Sequence, residues 1–270
     1  MPSALRIGGH AARALSSGVL DGRVASTFQY GSLLEIDSGA GPVLISLQTP
    51  EAAFHPWAVE VEGVPAAPVK TPVAGGPERI RWGDVTIELA GARIEPLEIE
   101  PYTAGQARVA RDRASLLEAN AFGSGEHGPM APFEAAILRI LSEWATFADP
   151  EAMAKLIGLG DGSTPAGDDI LVGVLAGLRL GLRASAPNEL ARLEPVLRSD
   201  LDRTTLGSAQ MLEAALDGAF PEPLLRLVHA IGDPKSGSEG ILSEARSVRR
   251  LGASSGHAML LGLHHALRPG

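Results

Sequence analysis

The 270-residue chain has no cysteine, which removes disulfides, thiolate nucleophiles, iron-sulfur clusters and cysteine-ligated zinc in one step. Any chemistry must come from hydroxyls, carboxylates, histidines, arginines or backbone amides. No run is dense in lysine or arginine, and the net charge is −9. The electrostatic footprint for a nucleic-acid backbone or an anionic membrane surface is therefore missing. Long apolar runs are missing too: the longest, Ile170 to Leu182, carries Arg179 and is shorter than the roughly 20 residues that span a bilayer. It reads as a buried helix. Met1 to Leu20 lacks the apolar stretch of a secretion signal and places Arg6 and Arg13 among glycines and serines, so it reads as part of the mature fold of a cytoplasmic protein. A small molecule or another protein is the expected partner.

Apolar residues make up 45% of the chain, enough for a sizeable core. Short segments with partial alternation predict strands at Val24 to Phe28, Leu33 to Ile36, Val43 to Leu47, Trp57 to Val61 and Val85 to Leu89. Turn formers separate them at Gly39 to Pro42, Thr49-Pro50, Gly63 to Pro68 and Gly75-Gly76-Pro77. Beyond Pro101 the periodicity is helical, with segments expected at Gly105 to Glu118, Pro132 to Phe147, Pro150 to Ile157, Pro165 to Arg183, Glu189 to Arg198, Thr204 to Leu216, Pro223 to Ile231, Gly240 to Val248 and Gly256 to Leu267. The expected class is α+β, a β-rich domain over residues 1–104 followed by a mostly helical domain over residues 105–270.

The densest concentration of chemistry is Gly158-Leu159-Gly160-Asp161-Gly162-Ser163-Thr164-Pro165-Ala166-Gly167-Asp168-Asp169. Its glycines permit positive backbone dihedrals and close approach of a ligand, and Thr164-Pro165 turns the chain into a helix start. Such a start binds phosphate or carboxylate groups, with Ser163 and Thr164 adding hydroxyl donors. Asp168 and Asp169 would repel an anion unless they face elsewhere, bind a cation such as magnesium, or contact a substrate amide. The helix dipole alone also explains them. Glycines 173, 177 and 181 share a ridge suited to close helix packing. One echo is visible: Gly167 to Val174 resembles Gly256 to Leu263, each preceded by hydroxyl residues, Thr164 in one and Ser254-Ser255 in the other. Two similar helix starts that face one another would explain it, as would chance in a chain with 32 glycines.

Other patterns carry less. Gly123-Ser124-Gly125-Glu126-His127-Gly128 fits Gly-x-Gly-x-x-Gly, but a predicted helix precedes it where a dinucleotide site requires a strand. It reads first as an ordinary loop, and second as one able to close over a ligand. Thr204, Thr205 and Ser208 lie at another helix start, where capping accounts for part of the pattern. The histidines complete no zinc spacing, and neither a Gly-x-Ser-x-Gly elbow nor a Walker loop is present.

The stretch Leu156 to Gly173, with Arg203-Thr204-Thr205 and Ser208, Leu251-Gly252-Ala253-Ser254-Ser255-Gly256 and the early Gly22 to Phe28 segment, resembles the family of the oxamate carbamoyltransferase H subunit, AllH. The resemblance is strong in the helical half and loose in the β-rich half. It implies a part in allantoin and purine degradation, in a complex of different subunits that interconverts oxalurate plus phosphate with oxamate plus carbamoyl phosphate. Asp161 departs from the neutral residue expected beside the turn, and His257 has no assigned role. On this resemblance Gly160, Gly162, Ser163, Thr164 and Gly167 supply donors. Asp168, Asp169 and Thr164 are the expected catalytic residues, with Asp168 or Asp169 binding the carbamoyl amide or a cation, and Thr204, Thr205, Ser208, Ser254, Ser255 and Gly256 complete the pocket. The expected ligands are phosphate, carbamoyl phosphate, oxamate or oxalurate. Two further readings stay open: a non-catalytic metabolite-binding or scaffolding subunit, and a metal-dependent hydrolase using the acidic pair.

Overall fold

The computed structural model describes residues 2–18, 20–39, 41–63, 68–82, 84–117, 133–147, 149–182 and 184–267. The chain divides into two compact units, Met1–Leu97 and Glu98–Gly270, the first rich in strands and the second mostly helical, as the α+β class requires.

In the first unit, β1 (Ala4–Gly8) leads into helix α1 (Gly9–Leu15). There follow β2 (Leu20–Phe28), β3 (Gly31–Asp37), β4 (Pro42–Gln48), β5 (Ala58–Val61), β6 (Pro72–Gly75), β7 (Arg79–Trp82), β8 (Val85–Glu88) and β9 (Arg93–Glu95). They form one curled sheet in the order β8-β7-β6-β2-β3-β4-β5-β1-β9. Antiparallel pairs dominate, with parallel pairing of β4 with β5 and of β1 with β9. Alternation in β3 sends Ser32, Leu34 and Ile36 inward, as expected where one sheet face is buried. Their core includes Val24, Ile45, Leu47, Val59, Ile80 and Ile87, joined by Ala11 and Leu15 of α1. The five expected strands are present. β1, β6, β7 and β9, three to five residues long, were not anticipated. Arg6 of β1 forms a bidentate pair with Glu60, at 2.8 and 2.9 Å.

In the second unit the helices are α2 (Ala104–Arg113), α3 (Glu134–Phe147), α4 (Pro150–Ala154), α5 (Ala166–Arg179), α6 (Ala186–Ser199), α7 (Leu206–Leu216), α8 (Glu222–Gly232), α9 (Ser238–Arg249) and α10 (Ser255–Leu267), with tight 3-10 turns at Ala114–Leu117 and Leu201–Arg203. Their starts follow the local chemistry. Thr103 and Gln106 form a reciprocal capping box for α2. Asp149 caps α4 ahead of Pro150, and Thr205 caps α7 by accepting from the Ser208 amide at 3.2 Å.

Helix α5 is buried from Ala166 to Leu178 and forms the axis of this unit. It stops at Arg179, short of the expected Arg183, because Gly181 adopts a left-handed conformation at φ +67°. Gly181 therefore ends the helix and does not continue the packing ridge. Arg179 donates to the carbonyls of Ala215 and Leu216 at the end of α7 and to Glu194, which explains a cation at the end of an apolar helix. Among the described residues no helix is long and apolar enough to cross a membrane.

Candidate functional site

The sequence echo corresponds to a packed pair, α5 against α10. A Cβ added to Gly173 would lie 2.0 Å from the Met259 carbonyl oxygen, and one added to Gly262 would lie 2.0 Å from the Ile170 carbonyl oxygen. Gly173 and Gly262 hold the same place in the two similar segments, so the contact is reciprocal. At one end Thr164 Oγ1 and Ser255 Oγ share a hydrogen bond of 3.1 Å, while farther along Gly177 meets Ala266. The two helices thus run in the same direction with their starts side by side, and their positive dipole ends lie at one place.

Each start is built in the same way. Leu159 N–H donates to the Leu156 carbonyl at 2.9 Å and Gly167 N–H to the Leu159 carbonyl at 2.8 Å. Leu251 N–H donates to the Val248 carbonyl and Gly256 N–H to the Leu251 carbonyl, both at 2.9 Å. A side chain at Gly167 or Gly256 would strike the Leu156 or Val248 carbonyl oxygen, at 2.0 or 1.9 Å. These two glycines let the helix starts press onto the preceding turns, and their amides, that of Gly167 expected to serve a ligand, are spent inside the fold. Within the longer first loop, Gly158, Gly160 and Gly162 have φ of +72°, +127° and +94°. The amides of Gly160 to Ser163 make no backbone hydrogen bond among the described residues, and residues 161–164 are exposed. The amide donors open to solvent therefore belong to this loop and not to the first turn of the helix.

The two aspartates differ in what they hold. Asp168, 2% exposed, accepts from Gly158 N–H at 2.8 Å through Oδ1 and from the Thr204 hydroxyl through Oδ2, with a further bond from Ser208. Burial pushes its carboxyl above the usual range, and those three donors pull it back. Asp168 ties the glycine loop to the entrance of α7. Thr205 strengthens the same junction by donating to the Ser163 carbonyl at 2.7 Å. Thr204, Thr205 and Ser208 therefore lie at the motif, with the Thr204 and Ser208 hydroxyls engaged by Asp168 and the Thr205 hydroxyl by the Ser163 carbonyl.

Asp169 is 6% exposed. Burial pushes its carboxyl up to about 7, against a hydrogen bond from Ser255 that lowers it; the neighbouring Asp168 raises it further. Its Oδ2 has no hydrogen-bond partner among the described residues. Both aspartates are visible in the sequence, but their different roles depend on Gly158, Thr204 and Ser255, which lie elsewhere along the chain.

The remaining candidates fall around this centre. Ser254 is half-buried, and its carbonyl accepts from Ala258 N–H at 3.0 Å. His257, half-buried, has its imidazole lowered by burial and by Arg249, with Glu134 opposing. Asp161 is exposed. The Gly123 to Gly128 loop lies outside the described residues. No group of three histidine, aspartate or glutamate side chains placed to hold a metal occurs among the described residues. With both Asp168 oxygens hydrogen-bonded, the carboxylate oxygen of the acidic pair that has no partner among the described residues is Asp169 Oδ2.

No solved structure matches the chain. The segment that runs from the turn ahead of the glycine loop to the end of α10, residues 156–267, matches the family model described as oxamate carbamoyltransferase subunit AllH.

Proposed function

We propose that this chain is the AllH-type subunit of a cytoplasmic carbamoyltransferase and that it binds an anionic metabolite between the starts of α5 and α10. The observation that carries this reading is the convergence of two parallel helix starts on a loop with open amides, inside the segment that matches the family model. Open amides and aligned dipoles favour a phosphate or carboxylate group. Thr164 and Ser255 stand at the same place as hydroxyl donors.

The transfer has a defined balance. An oxygen of hydrogen phosphate forms a bond to the carbamoyl carbon of oxalurate, and the bond from that carbon to the oxamate nitrogen breaks. The phosphate proton ends on the departing nitrogen, leaving carbamoyl phosphate and oxamate. The residues named above would orient the planar amide-carboxylate group and stabilise developing negative charge. Partner subunits would complete the active complex.

Thermal unfolding of the full-length chain with phosphate, carbamoyl phosphate, oxamate or oxalurate tests the proposal, because a ligand that binds the folded state raises Tm. Carbamoyl phosphate and oxamate should raise it in a saturable way, and magnesium should add nothing. An unchanged Tm with all four ligands would count against the site, and a rise that depends on magnesium would favour the metal-dependent hydrolase.

A further inference from the structure

We propose that Asp169 makes the site select a ligand bearing an amide NH2 over one presenting a carboxylate oxygen at the same place, so that oxamate is held and its isostere oxalate is rejected. The inference rests on the reading of the motif as a metabolite site. Asp169 is buried, one side of its carboxyl faces Ser255, and Oδ2 lacks a donor among the described residues. A buried carboxylate oxygen without a donor is costly, and such groups in folded proteins are nearly always satisfied. Asp168 has no such vacancy, since Gly158, Thr204 and Ser208 occupy it.

The groups around Asp169 sharpen the choice. Ser255 of α10 is neutral and hydrogen-bonded to Thr164 of the glycine loop. From the entrance of α7, Thr204 and Ser208 are neutral and engaged by Asp168. The charge acting on Asp169 is that of Asp168. The missing partner is therefore a hydrogen-bond donor, while the helix starts and loop amides beside it attract an anion. One small ligand meets both demands when it carries a carboxylate at one end and an NH2 at the other. Its carboxylate would lie on the amides of Gly160 to Ser163 and its NH2 on Oδ2. Oxalate has the same planar shape but would set a second carboxylate against Oδ2. It also carries one more negative charge, which the helix starts favour and Asp168 opposes, so the comparison with Asp169→Asn, in which Asp168 is kept, isolates the contribution of Asp169.

Calorimetric titration of the full-length chain with sodium oxamate and sodium oxalate at about pH 8 and about pH 6 decides the matter, since the carboxylates of the two ligands stay ionised across that range. At the higher pH oxamate should bind at least about tenfold more tightly, in line with the cost of leaving a charged hydrogen-bonding group unpaired. At the lower pH the preference should narrow, because a protonated Asp169 can donate to oxalate. In Asp169→Asn, whose amide offers both a donor and an acceptor, the two affinities should converge at both pH values. Should that variant fail to fold, the wild-type ratio at the two pH values decides alone. Oxalate binding as tightly as oxamate at the higher pH overturns the inference and leaves the metabolite site standing. Binding of neither ligand overturns both.

Discussion

Replacing Asp168 with alanine removes the shared acceptor of the Gly158 amide and the Thr204 and Ser208 hydroxyls. A buried donor left unsatisfied costs about 1–3 kcal/mol, and of the three only Ser208 is buried while Gly158 and Thr204 are half-buried and can turn to water, so Asp168→Ala should lose about 2–4 kcal/mol of stability, measured by urea unfolding. A loss below about 0.5 kcal/mol would show that Asp168 does not lock the loop. Asp169 behaves oppositely. Its folded-state carboxyl lies at about 7, above the ordinary 3.8, so between those values the folded chain holds more proton than the unfolded chain. By linkage its contribution to stability is full below about pH 4 and is lost as pH rises through about 7. Urea midpoints from pH 4 to 8 should therefore fall less steeply in Asp169→Asn than in the wild type. Equal slopes would place Asp169 outside the buried environment described for it. The pattern Gly-Asp-Asp at a helix start was legible in the sequence. Which aspartate locks and which stays open was not, because the deciding partners are 10 to 86 residues away along the chain.

At the level of elements, the packing of α5 on α10 depends on the absence of two side chains. Alanine at Gly173 or Gly262 places a Cβ 2.0 Å from a carbonyl oxygen of the other helix and must force the pair apart. The expected loss is about 3 kcal/mol for either substitution. Gly240, in α9, is exposed and a Cβ there meets nothing within 4 Å. Gly240→Ala should stabilise by about 0.5–1 kcal/mol through helix propensity, and thermal unfolding of the three variants compares them directly. Tolerance of alanine at both Gly173 and Gly262 would contradict the close approach. Most helices were legible because their caps and apolar faces are local signals, as Asp149-Pro150-Glu151 illustrates. The echo between Gly167 to Val174 and Gly256 to Leu263 was visible, but its meaning was masked by a longer first loop, residues 160–166 against residues 252–255. Gly181 misled because three glycines at helical spacing look alike until one of them takes a positive φ.

For the whole molecule, every residue of the candidate site belongs to the unit Glu98–Gly270, which has its own extensive core, including Ile170, Leu171, Val174, Leu260 and Leu263. A fragment of residues 98–270 should therefore fold cooperatively and retain oxamate affinity within about threefold, as expected of a unit with its own core. Calorimetric titration of the fragment checks this, and loss of binding by a folded fragment would move part of the site to the first unit. The β-rich and helical halves were legible in the change of periodicity near Pro101. The pairing order of the strands among the described residues was not, because β1 lies between β5 and β9 through contacts that no local pattern encodes. The central claim is that the paired helix starts hold a carbamoyl-type metabolite through Asp169. Titration of the full-length chain with carbamoyl phosphate, repeated on Asp169→Ala, tests it most directly. Saturable one-site binding that weakens at least about tenfold in a variant with unchanged circular dichroism is the expected result, since a hydrogen bond to a charged group contributes about 1.5–3 kcal/mol. Equal binding by both proteins, or no saturable binding by the wild type, would contradict it.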